Sequence, residues 1–199
     1  LLVSEQKEQL LSTILSRVQE VKIPRLSEEV IAAGLQTEYA WLDSEEAKVI
    51  AHMANGSYLE ALRQLNDEAA NGYFDDFVSL MRNAWLVGQK KDYSALLKLR
   101  QWSNDMADSK LGREKQKAFL QYVQRQIREN YIYNFACPTM NYQTEKERQF
   151  STKFAPFIHD GNVEKMMNEL GKAEQQITQN GNAKIIFFDL CLQMIVLVK

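Results

Sequence analysis

The chain is poor in residues that break or staple a backbone. Three prolines and eight glycines in 199 residues argue against a turn-rich all-β fold, which would consume both at its many tight turns. The two cysteines, Cys137 and Cys191, are far apart and lack metal-ligand spacing. They read as buried, reduced thiols packed like small hydrophobes. His52 and His159 stand away from Cys and acidic residues at ligand spacing, so neither a metal site nor a nucleophilic triad is expected. Charge is balanced: 24 basic and 26 acidic residues give a net −2, with no global pull toward nucleic acid. The longest apolar run, Ile185 to Val198, is interrupted by Asp189 and Gln193 and is too short and polar for a membrane span. No charged-then-apolar leader opens the chain. These absences together lead to the expectation of a soluble, cytoplasmic protein. Gly171-Lys172 does not complete a phosphate loop, because Met166 stands where the first glycine belongs and Ala173 replaces the Ser or Thr. No internal repeat or low-complexity segment is present.

Apolar residues make up 45% of the chain, enough for a real core. Abundant Leu, Ala, Gln, Glu and Lys favour helix, and the expected class is mainly α. Leu1 to Pro24 reads as strand, short helix, strand. Leu1-Leu2-Val3 gives the first strand and Leu10 to Arg17 the helix. Val21 and Ile23 alternate with polar neighbours in the second strand, which Pro24 closes. Arg25 to Ala70 reads as three short helices. Ser27 caps the first, with Glu28 and Glu29 in its first turn. Gly34 inside that helix costs about 1 kcal/mol relative to Ala, which close packing against a neighbour would offset. Asp43 to Glu46 opens the second helix with capping-box spacing, and Asn55-Gly56 ends it. Ser57 to Glu60 caps the third.

Asn71-Gly72 is the next expected break. Phe74, Phe77, Val78, Met81, Trp85 and Leu86 then share one helical face, which Gly88 ends. Further helices are expected over Tyr93 to Met106, Leu111 to Tyr133, Thr144 to His159 with a split at Pro156, Val163 to Ile177, and Ala183 to Lys199. The aromatic stripe from Tyr73 to Trp85 reads as core, part of it as a subunit interface. Lys90-Lys91 and the Lys110, Arg113, Lys115, Lys117 group have two readings, phosphate contact or a solvated helix face. Interleaved acidic residues favour the face.

Two short motifs carry a family resemblance. Ser16-Arg17, ending a short helix after an apolar strand, is similar to the Ser-Arg-Cys motif of clamp-loader subunits in the AAA+ superfamily, with Val18 in place of Cys. Ser12 stands where the family usually has a proline before the short helix. Ala54 to Leu62 resembles the start of that family's sensor 2 helix. The resemblance implies three parts: the end of an AAA+ α/β core over 1–24, a three-helix lid over 25–71, and a helical collar over 72–199. Because the chain opens at Leu1 inside what would be the last strand of such a core, it reads as a fragment.

The resemblance also implies site residues. Arg17, with Ser16, would be an arginine finger reaching the ATP-Mg of a neighbouring subunit in trans, since a permanently charged planar donor suits a γ-phosphate. The plainer reading is an Arg favouring a helix C-terminus. Ser4 falls at the sensor 1 position, or is only a polar strand end. Leu59 occupies the position of the sensor 2 arginine and cannot pair with a phosphate. Arg63, one turn on, is its candidate substitute. A finger without a sensor 2 arginine implies a non-catalytic subunit of a DNA polymerase III clamp loader, with no cofactor of its own in this fragment. Its implied partners are tau/gamma and delta subunits, the sliding clamp, and primed DNA through the assembled complex. The alternatives are a helical adaptor unrelated to replication, with the Ser-Arg match accidental, or an ATPase motor whose site lies upstream.

Overall fold

In the computed structural model the residues described are 10–19, 21–54, 56–66, 68–108, 111–136 and 140–198. They are mainly helical, and no β-strand occurs among them. A single turn, α1 (Ser12–Leu15), precedes residues 21–27, which have no regular structure. Then follow α2 (Glu28–Glu38), α3 (Ser44–Met53) and α4 (Tyr58–Asn66), and next α5 (Glu68–Lys90), α6 (Ser94–Met106) and α7 (Arg113–Tyr133). The chain closes with α8 (Glu145–Phe154), a 3-10 turn at Ala155–Phe157, α9 (Val163–Thr178) and α10 (Ala183–Leu197).

The strand expected at Val21 to Ile23 is not formed. Val21 is 77% and Ile23 87% exposed. An extended segment becomes a strand only by pairing its N–H and C=O groups with a neighbour, and alternation alone supplies no neighbour. The strand expected at Leu1 to Val3 lies outside the described residues.

The helices α2, α3 and α4 enclose one apolar cluster around Ile31, Leu35, Ala47, Ala51 and Ala61. Their caps follow the sequence. Ser27 Oγ accepts from the Val30 N–H at 3.4 Å, Asp43 Oδ2 from Glu45 at 3.2 Å, and Ser57 Oγ from Glu60 at 3.3 Å. Gly34 is explained by proximity: a β-carbon there would lie 2.9 Å from the Tyr58 ring.

The helices α5 to α10 enclose a second, larger cluster running from Phe77 to Val198. Three of its rings, Trp102, Phe119 and Phe187, lie 5.6 to 6.4 Å apart between centroids. Asn71-Gly72, expected as a break, falls inside α5, which runs unbroken to Lys90. A helical glycine costs only about 1 kcal/mol, and the strongly apolar face that follows outweighs it. Gly88 likewise does not end α5. It allows α10 to approach, because a β-carbon there would meet the Ile195 carbonyl oxygen at 2.5 Å. Pro156 divides α8 from the 3-10 turn as its ring dictates. Gln121 and Gln124 both donate to the Glu174 carboxylate at 2.7 Å, tying α7 to α9. Apolar on nearly every side, α10 leaves Ile185, Leu192 and Val196 on an exposed stripe.

Candidate functional site

Two regions are candidates for a functional site. The first is the turn that carries Arg17. After α1, Ser16 Oγ donates to the Thr13 carbonyl at 3.2 Å and the Arg17 N–H to that of Ile14 at 3.0 Å. The Arg17 side chain is exposed, with no hydrogen bond or ion pair among the described residues. The irregular segment 21–27 is moored by the Leu26 N–H, which donates to the Gly56 carbonyl at 3.1 Å. Gly56 has φ +85°, and a β-carbon there would lie 2.5 Å from the Arg25 β-carbon. Glycine alone satisfies both demands. Leu59 is exposed. Ser4 lies outside the described residues, as does the side chain of Arg63, a residue of α4. Arg17 and Ser16 are therefore adjacent and accessible.

The second region is a cleft of about 640 Å³ where the two helical clusters face each other. Glu28, Glu29 and His52 line it from one side, and Arg125, Arg128 and Tyr142 from the other. His52 stacks on Tyr142, with centroids 3.2 Å apart and planes inclined by 15°. Its Nδ1 lies 2.5 Å from Glu28 Oε1. Histidine at position 52 thus has an acidic partner in space that linear spacing could not show.

Behind the cleft, two buried carboxylates clamp residues 140–147 onto α7. Glu147 accepts from the Thr144 N–H at 2.9 Å, from the Tyr122 hydroxyl at 2.7 Å, from Arg125 Nη2 at 2.5 Å, and from Gln126. Thr144 accepts in return from the Glu147 N–H, completing a capping box for α8. Glu129 accepts from the Tyr142 N–H at 2.6 Å and pairs with Arg128. Arg125 also donates to the Tyr142 carbonyl at 3.2 Å and reaches Met53 Sδ at 3.9 Å. Burial, reinforced by the Glu147 carboxylate, pushes the Tyr122 phenol far up, so it keeps its proton and donates it to Glu147 while accepting from the Gln126 amide at 3.0 Å.

This second set escaped sequence reading, although Thr144-Glu145-Lys146-Glu147 has capping-box spacing and was readable. Among the described residues no three His, Cys, Asp or Glu side chains converge as metal ligands. The one serine lining the cleft, Ser27, is committed to capping α2. Among the described residues, the cleft is lined by ion pairs and a ring stack, with no nucleophile hydrogen-bonded to a base. Among the described residues, no helix is long and apolar enough to cross a membrane. No family model matches the chain, and no curated protein or solved structure was found to be similar to it.

Proposed function

We propose that this chain is a non-catalytic, delta-prime-like subunit of the replicative clamp loader of bacterial DNA polymerase III. In this reading it organises the subunit ring with tau/gamma and delta subunits and offers Arg17 to the ATP-Mg of a neighbour while the sliding clamp is placed on primed DNA. The observation that carries the reading is the exposed Arg17 side chain, beside Ser16 and ahead of a three-helix cluster. A finger in trans must stand clear of its own core and of internal acidic partners. A small helical cluster precedes a larger one, the order that a lid followed by a collar would have. The exposed apolar stripe of α10 suits burial in an assembly, since a helix apolar on nearly all sides seldom faces water throughout. Leu59 at the sensor 2 position accords with a subunit that does not hydrolyse ATP itself.

The test is Arg17→Ala in the complete subunit, mixed with tau/gamma, delta and the clamp. Assembly by gel filtration stays intact while clamp- and DNA-stimulated ATPase of the finger-dependent site falls on the order of 10³-fold, as for other arginine fingers. Unchanged ATPase and clamp loading would remove the role. Failure to bind tau/gamma and delta at all would leave the adaptor reading in its place.

A further inference from the structure

The two apolar clusters meet across a polar seam. Among the described residues they share no buried side chain, and His52 and Met53 on one side reach Tyr142 and Arg125 on the other. The seam is open, with the cleft along it. Its walls are of mixed charge, leaning opposite ways: Glu28 and Glu29 in the first turn of α2, with Arg25 beside them, face Arg125 and Arg128 of α7, with Glu129 beside these two. Arg125 is committed to Glu147 and Tyr142. Arg128 is ion-paired with Glu129 but keeps a side chain 52% exposed toward the cleft. Oppositely charged, hydrated walls attract one another across a width that water and salt modulate. A seam across which no apolar core runs among the described residues offers little to fix that width.

We propose that this cleft is a closing joint. The α2–α4 cluster rocks about the His52–Tyr142 stack, bringing Glu28 and Glu29 toward Arg128 in a closed state and parting them in the open state described above. The stack suits a pivot, because flat rings slide and tilt while keeping contact. The joint does not depend on any role for Arg17.

The test places spin labels on exposed positions of the two clusters, Lys48→Cys in α3 and Lys165→Cys in α9, in the full chain carrying Cys137→Ser. Distances are measured at low and high salt. Two populations are expected, their ratio shifting toward one of them at low salt. Glu29→Lys shifts the ratio back by about three- to fivefold, the size expected for a solvent-exposed ion pair. Glu46→Lys, a first-turn glutamate of α3 outside the cleft, leaves it unchanged. Tyr142→Ala broadens both populations. A single distance that neither salt nor Glu29→Lys alters would overturn the joint, as would an equal response to Glu46→Lys. Because Glu29 is exposed and is not a cap, Glu29→Lys tests the joint even if Tyr142→Ala fails to fold.

Discussion

Gly88 of α5 turns its α-carbon to the backbone of α10, so closely that a β-carbon at 88 would lie 2.5 Å from the Ile195 carbonyl oxygen. Backbone cannot swing aside as a flexible side-chain tip can. Gly88→Ala should therefore force the two helices apart and cost about 1–3 kcal/mol, the usual range for overpacking. Gly171, in the middle of α9, has nothing within 4 Å of such a β-carbon. There the same substitution should stabilise by about 0.5–1 kcal/mol, from the unfolded chain's lost freedom and better helix propensity. Urea denaturation of the two variants should give opposite signs, and equal signs would contradict the packing of α5 on α10.

Glu147 holds four donors from α7 and the start of α8. Glu147→Ala leaves Arg125 facing a buried gap and should cost about 3–5 kcal/mol, the range for breaking a buried pair on one side. Glu147→Gln keeps the shape and should cost less. Thermal melts of both variants check the order.

Asp76 gives a pH signature. Burial pushes its carboxyl above the ordinary 3.8, and the nearby Asp75 and Asp105 carboxylates add to the rise. The Trp102 indole N–H offsets part of this without reaching hydrogen-bond geometry. The folded state therefore keeps this proton to higher pH than the unfolded chain does. Its stabilising effect is complete below the unfolded pKa and is lost as pH rises through the folded one. Asp76→Asn should melt higher than the parent at pH 7, and the gap should narrow as pH falls toward 3.8. A gap that widens on acidification would reverse the assignment.

Burial pushes the Cys191 thiol up to about 12, leaving almost no thiolate at pH 8. In a Cys137→Ser background, a thiol reagent at pH 8 should modify Cys191 only once denaturant unfolds the chain. Rapid labelling of the native protein would place that side chain outside the core.

The helices were largely legible because their signals are local. Ser27, Asp43 and Ser57 cap the helices they were expected to cap. Gly34 is close-packed against Tyr58, and Pro156 splits its segment. What failed depended on partners distant in sequence. Val21 to Ile23 had the alternation of a strand and no strand beside it. Gly88 looked like a stop because glycine alone does not tell an ending from a close approach, and Gly72, which no neighbour crowds, is simply carried by the helix that runs through it. The Arg17 turn could be picked out by motif. The cleft could not, because His52 finds Glu28 and Tyr142 only through the packing of α2, α3 and residues 140–147. Arg125 and Glu147, which back that cleft, lie 22 positions apart, and no spacing rule joins them.

The two carboxylates that fasten residues 140–147 to α7 act as a vernier. Glu129 and Glu147 each answer a particular set of donors, so sliding that segment by one helical turn would strand both charges in a dry interior at once. Greasy contact tolerates slippage and these two acids do not, so this segment has a single address on the helix. The ring of Tyr142 is delivered to the same spot each time the chain folds.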